Sequence, residues 1–204
     1  MTPQGASGIH SRKPLIILGV DPGTLVTGYG VLEGEADSAR VLEYDVVKNR
    51  SSRSLPLRLL SIFETLCAVI ERTHPDEFAI ETAFYGKNAQ SALKIGHARG
   101  VSILAAVTKE IPTAEYSPRE IKKAVVGNGA ASKEQVQLSV RKLLRLKETP
   151  ALFDATDALA VALCHLQRRQ STGMPDRSAT RRKRSSGDWE AFLKANPHRI
   201  VRNA

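Results

Sequence analysis

Cysteine is scarce in this chain, and so are aromatic residues. Of 204 residues, two are Cys, and Phe, Tyr and Trp together make up 5%. Cys67 and Cys164 stand apart in apolar, helix-like patterns. They read as core residues rather than a disulfide, which fits a reducing compartment. No Cys/His cluster has zinc-ligand spacing, so a metal here would take oxygen ligands. No apolar run approaches the ~20 residues of a membrane span. Residues 1–14 are polar and lack the apolar centre of an export signal. The expectation is a cytoplasmic protein with no membrane association. There is no internal repeat. A hydrophobic fraction of 42% is nevertheless enough for one packed domain.

The charge is uneven. The chain holds 30 Lys+Arg and 21 Asp+Glu, for a net charge of +9. Residues 166–204 carry 10 and 3 of these, or +7, which leaves 20 and 18, or +2, for residues 1–165. A basic tail on a nearly neutral body points to a polyanion partner. A solvated, inert tail accounts for the composition almost as well.

The organising stretch is Leu15-Ile16-Ile17-Leu18-Gly19-Val20-Asp21-Pro22-Gly23-Thr24. It reads as a buried strand that ends on an acid and turns at Pro-Gly. Gly28 to Leu32 follows as a second strand and Ala39 to Val47 as a third, forming an antiparallel meander. From Leu57 to Arg72 the apolar period becomes helical, with Ser54 as a candidate cap. Glu77 to Glu81 is a short strand that also ends on an acid. A helix between strands allows this one to lie parallel to the first, and right-handed crossover puts Glu81 and Asp21 at one edge of the sheet. Asn88 can cap a helix to about Lys109, in which Gly96 and Gly100 point to close helix packing. Ile111 to Tyr116 is the fifth strand. Pro118 opens a helix to Val126. Ser132 and Gln135 resemble a capping box for a helix to about Leu146, and Leu152 to His165 is the last strong helix. The fold class is α/β: a mixed five-stranded sheet, three strands antiparallel and two parallel, flanked by helices. The domain reading is a leader over 1–14, a folded domain over 15–168, a basic linker over 169–187 and an extension over 188–204. In that extension Trp189, Phe192 and Leu193 can share a helix face.

Asp154 and Asp157 open the last helix three residues apart, on one face. Each acid has a plain reading: Asp21 caps a turn, Asp154 caps the helix and Asp157 favours its positive end. Convergence is the alternative. Asp21 and Glu81 end neighbouring strands, and a helix beside them adds two more carboxylates. Four such groups repel unless a cation sits among them. Two hard divalent cations activate water and stabilise a leaving oxygen in phosphodiester cleavage.

These residues resemble the RuvC family of Holliday-junction resolvases, a branch of the RNase H-like superfamily. The matching segments are Leu18 to Thr24 with Thr27-Gly28-Tyr29-Gly30; Phe78-Ala79-Ile80-Glu81 with Phe84; Lys87-Asn88-Ala89, Ala92-Leu93-Lys94 and Ala98-Arg99-Gly100; Lys122 with Val125-Val126-Gly127; and Asp154 to Ala160. They span residues 15–166 in order. The resemblance implies an RNase H-like fold and a homodimer that nicks a four-way DNA junction symmetrically in recombination and repair. It implies that Asp21, Glu81, Asp154 and Asp157 bind two Mg²⁺ per site, with Mn²⁺ able to substitute. Phe84 matches an aromatic that stacks near the crossover; Tyr85 beside it has no counterpart taken from the family, and Tyr85, Lys87, Asn88 and Arg99 are candidates for the same DNA face by their place in the chain. Lys122 and Lys133 match basic residues near the scissile phosphate and backbone; as solvated helix charges they also have a plain reading. A branch-migration motor complex is the implied protein partner. The leader and the tail lie outside the resemblance.

Three rival readings share parts of this pattern. A small YqgF-type nuclease shares the Asp-Pro-Gly-Thr opening, but its chain is shorter and it lacks the Phe84 loop. An actin-like ATPase needs a second phosphate hairpin, and none is found. A non-enzymatic junction binder would make the acids structural.

The Arg181-Arg182-Lys183-Arg184 cluster can track phosphates without reading sequence. A chain ending at Gln170 is expected to fold, dimerise and cut junctions in Mg²⁺, yet to bind DNA more weakly at low salt and with a shallower salt slope. Titrating both chains against junction and duplex DNA across a salt series checks this. Equal slopes would make the tail a bystander.

Overall fold

Alternation along the first apolar run decides how the layers stack. In the computed structural model, which describes residues 14–35, 38–82, 89–147 and 153–172, that run is β1 (Leu15–Asp21). Ile17 packs into one hydrophobic cluster and Leu18 and Val20 into another. The strand is therefore buried on both faces, as a central strand should be. β2 (Val26–Gly34) and β3 (Arg40–Lys48) complete the antiparallel meander. Helix α1 (Leu55–Thr73) leads to β4 (Glu77–Glu81), and α2 (Ala89–Thr108) to β5 (Thr113–Tyr116). Both of these strands run parallel to β1, and the sheet order is β3-β2-β1-β4-β5. The expected mixed five-stranded sheet is the one observed.

Helices α1 and α2 cover one face of the sheet, over Leu18, Val20, Phe78 and Ile80. The chain then adds α3 (Pro118–Val126), α4 (Lys133–Leu143) and α5 (Phe153–Thr172). These cover the other face, over Ile17, Leu32 and Ala79. Each of α3 and α4 begins with a capping box, Ser117 with Glu120 and Ser132 with Gln135, which satisfies amide groups left open at a helix start. Only the second was expected. Gly127 ends α3 in a left-handed conformation at φ 81°, where a side chain would be strained.

Helix α5 lies directly on β1 and β2 because glycine faces it. A Cβ added at Gly19 would fall 2.3 Å from the carbonyl oxygen of Ala158, and one at Gly28 would fall 1.9 Å from that of Asp154. Neither distance is possible without moving the helix. Gly96 and Gly100 behave differently: a Cβ at either meets nothing within 4 Å. The expected close packing at these two is absent within the described chain. Leu93 and Leu104, beside them on α2, are more than half exposed.

Other boundaries moved for physical reasons. Helix α5 runs to Thr172, beyond its expected end near His165, because Arg168 pairs with Glu120 and Arg169 with Glu77. Ser54 stands at the start of α1, but its side chain caps nothing. Helix α4 ends at Leu143, ahead of the expected Leu146. Cys67 and Cys164 are free, and Cys164 is buried. The chain divides into two units, Met1–Gly173 and Met174–Ala204, and the described residues all belong to the first. Residues 1–13, 36–37, 83–88, 148–152 and 173–204 lie outside the described residues, and with them nearly all of the expected leader over 1–14, the Asn88 cap and most of the expected linker and extension. No helix of the described residues is long and apolar enough to cross a membrane.

Gly28→Ala is expected to lower the melting temperature. Overpacking of a close contact costs roughly 1–3 kcal/mol, and each kcal/mol is worth about 2–4 °C in a domain of this size. Thermal unfolding of the two proteins side by side measures the difference.

Candidate active site

Parity along the strands aims the acids. Ile17 faces α5, so Gly19 and Asp21 do too. Ala79 faces α5, so Glu81 follows it. The parallel register pairs Val20 with Ile80, which leaves Asp21 and Glu81 as neighbours at the strand ends. The turn after Asp21 is clamped by Thr27, whose hydroxyl donates to the Gly23 carbonyl and accepts from the Gly23 amide at 3.3 Å. Helix α5 starts at the same end of the sheet, with Asp154 against Gly28. Asp157 follows one turn later.

A cleft of about 380 Å³ opens here. Asp21, Glu81 and Asp157 line it, together with Lys122 from α3 and Lys133 from the start of α4. The Lys133 ammonium lies 3.5 Å from a carboxylate oxygen of Asp157. Asp154 does not line the cleft, but its charge reaches Asp21, Asp157 and Lys133. The two lysines that the sequence singled out thus stand beside the acids.

The electrostatics follow from burial. Asp21 is pushed up from 3.8 to about 8, first by burial and then by Glu81, Asp157 and Asp154, with Lys133 opposing. Glu81 is raised by burial and by Asp157, while a hydrogen bond with Asp21 and the charges of Lys133 and Lys122 pull it down. Burial raises Asp157 as well, and Lys133 acts against the shift. Lys133 is held above the usual range, chiefly by Asp157. Carboxylates packed this closely keep a proton unless a cation takes its place.

Among the described residues, no three acidic, His or Cys side chains stand as a ready metal cage. The donors are nonetheless all carboxylate oxygens, the set that hard divalent cations take. A bound cation would offset the mutual repulsion that raises Asp21. By that chemistry the residues fit such an ion.

A model of the family described as "Crossover junction endodeoxyribonuclease RuvC" matches residues 17–165, which contain all four acids. The chain belongs to the RuvC family. RuvC enzymes are endonucleases that hydrolyse phosphodiester bonds of DNA at crossover junctions, and they depend on divalent metal. The chain is 43% identical to the RuvC of Cytophaga hutchinsonii over 185 residues, covering 91% of this chain and 88% of that one. It is 51% identical to the RuvC of Saccharophagus degradans over 156 residues, 76% of this chain and 90% of the other. Among solved structures it is similar to T. thermophilus RuvC in complex with a Holliday junction substrate, at TM-score 0.73 and 36% identity, covering 78% of this chain and 97% of that one. The yeast mitochondrial resolvase Ydc2, at 12% identity and TM-score 0.57, shares the fold, covering 77% of this chain and 80% of its own.

Of the other expected site residues, only Arg99 lies among the described residues. Arg99 on α2 is paired with Glu115 of β5, so its charge is already engaged. Phe84, Tyr85, Lys87 and Asn88 lie outside the described residues, as do Arg181, Arg182, Lys183 and Arg184. One cluster was not foreseen. Glu77, at the far end of β4 from Glu81, meets the His165 ring and the Arg169 guanidinium, the latter at 2.7 Å. The Tyr116 hydroxyl lies 2.7 Å from Nδ1 of His165. The strand parity that aims Glu81 at α5 also aims Glu77 there, and that was the available signal.

The raised Asp21 makes a pH prediction. Its folded value of about 8 lies above its unfolded 3.8, so its contribution to stability is full below about pH 4 and lost as pH rises through about 8. In chelator, Asp21→Asn is expected to melt above the parent protein by a margin that widens over that window. Added divalent cation should raise the parent alone, since it binds only the folded form. Melting curves from about pH 4 to about pH 8 show whether the gap opens.

Proposed function

We propose that this chain resolves four-way DNA junctions by paired, symmetrical nicks, acting as a homodimer with two Mg²⁺ ions per site. The observation that carries the reading is the convergence of Asp21, Glu81 and Asp157 in one cleft with Lys122 and Lys133. Asp21, Glu81, Asp154 and Asp157 would hold the ions, which when bound supply an activated water and stabilise the leaving oxygen. Lys133 tethers Asp157 and, with Lys122, offers positive charge to a phosphate entering the cleft. Such contacts position a backbone without reading its sequence. Phe84 follows β4 closely in sequence, and an aromatic there suits stacking on the unpaired bases of a crossover. Tyr85, Lys87 and Asn88 belong with it.

Dimerisation is supported by the exposed stripe of Leu93, Leu104 and Val107 on α2, with Gly96 and Gly100 open between them. A second copy would cover these apolar side chains and use the glycines for close approach. Within this reading, the nuclease domain expected over 15–168 extends to the end of α5 at Thr172. The enzyme works in the cytoplasm, with a branch-migration motor as its partner, and Mn²⁺ substitutes for Mg²⁺.

The test is cleavage of junction, duplex and RNA–DNA hybrid substrates in Mg²⁺ by the parent, Asp21→Asn and Asp157→Asn. Junctions alone should be cut, by paired nicks. Both variants should keep junction binding and lose cleavage by several orders of magnitude, because the electrostatic stabilisation at the phosphate goes with the carboxylate. Near-normal cutting by Asp21→Asn would sink the metal reading. Preference for duplex or hybrid would favour another nuclease of the same fold.

A further inference from the structure

The end of the sheet that carries Asp21 also carries a second basic group, on the side away from Lys122 and Lys133. In the antiparallel ladders Asp21 is opposite Gly28, and Val26 is opposite Lys48. The chain leaving β3 therefore emerges beside the turn that follows Asp21. Asn49 ties the two together: its amide donates to the Leu25 carbonyl at 2.8 Å, and its side chain reaches the carbonyls of Thr24 and Arg58 at 3.4 and 3.3 Å. Arg53 is hydrogen-bonded in turn to the Asn49 side chain at 3.5 Å. Lys48, Arg50 and Arg53 are exposed on this tethered segment.

Arg58 adds to them. It sits in the first turn of α1, where side chains lean back toward the helix start, and that start lies at the same end of the sheet. Its Nε is buried with no hydrogen-bond partner. No carboxylate among the described residues forms an ion pair with any of the four, and the first turn of α1 contains no acid. Asp45, the acid that precedes them in β3, has a carboxylate oxygen on the Val46 amide at 2.8 Å.

We infer that Lys48, Arg50, Arg53 and Arg58 form a backbone-binding lip that holds the phosphates of the DNA strand beyond the one held at the acids. Two strand spacings, roughly 10 Å, separate β3 from β1, so the lip lies beside the cleft rather than in it. Its chemistry suits phosphate and not bases, because it consists of long cationic side chains with no aromatic residue among them. With Lys122 and Lys133 it brackets the acids by positive charge on two sides. A strand can then cross the carboxylates while held on either flank. This inference rests on the junction-cleaving function proposed above and extends its substrate contacts.

The test uses the full chain and a labelled four-way junction, titrated in chelator across a salt series. Arg50→Ala/Arg53→Ala should weaken binding roughly tenfold at low salt and bring the slope of log K against log salt about 2 nearer zero, since each lost phosphate contact is worth about 1. Arg50→Lys/Arg53→Lys should restore most of that slope, which a merely structural role would not. Arg40→Ala/Lys109→Ala removes two cations paired with Glu33 and Glu71 at the opposite end of the sheet, and should leave the slope unchanged. Melting curves confirm that the variants fold. If the parent binds and cuts junctions while Arg50→Ala/Arg53→Ala shows the parent slope, the lip is refuted alone. If the parent neither binds nor cuts, the function reading and the lip fall together.

Discussion

The acid-bearing end of this protein depends on how closely one helix lies on two strands. Helix α5 rests on β1 and β2 at Gly19 and Gly28, where even a methyl group would collide with helix backbone. Sheets and helices separated by ordinary side chains could not bring a helix acid so near a strand acid. Here the missing Cβ atoms remove that spacer, and Asp154 and Asp157 come within charge range of Asp21. The same contact is largely apolar farther along, through Ala158, Leu159 and Ala162, all fully buried. Helix position is thus set by core packing, and the acids inherit it.

That arrangement concentrates like charge where water is partly excluded. Asp21 responds by favouring its protonated form, which is the expected outcome for a carboxyl surrounded by others. Lys133 offsets part of the repulsion at Asp157. The remainder is a standing preference for cation, built in by burial. A site of this kind gains stability when metal binds, and it is least stable when empty and deprotonated.

At the other end of the same strand and helix the problem of buried charge has a different solution. Glu77 is buried, but it meets His165 and Arg169, and the histidine in turn meets Tyr116. Removing one partner from such a buried set typically costs about 3–5 kcal/mol, because the others are left unpaired. The cluster joins β4, β5 and α5. It therefore pins the helix against β4 and β5, from Glu77 at the far end of β4 to Tyr116, which pairs in register with Glu81. Buried charge is satisfied by ion pairs within the chain around Glu77, while at Asp21 it is met by a raised pKa.

Much of this could be read from the residues in order. The alternation of Leu15 to Asp21, the change to a helical period after Leu57, and strand ends falling on Asp21 and Glu81 all depend on local spacing, so the sheet and its two strand acids were legible. The four-acid set and its family followed from dispersed segments that keep a fixed order. What neighbours far apart in sequence decide was not legible. Helix α5 runs to Thr172 because Glu77 and Glu120 hold its last arginines. Arg99 is paired with Glu115, a partner that no local pattern shows. Gly96 and Gly100 look like packing glycines, while Gly19 and Gly28 are the ones that touch a helix. Periodicity and turn chemistry act over a few residues and are written into the chain. Ion pairing, burial and close approach depend on which distant residues the fold brings together, and only the tertiary structure decides them.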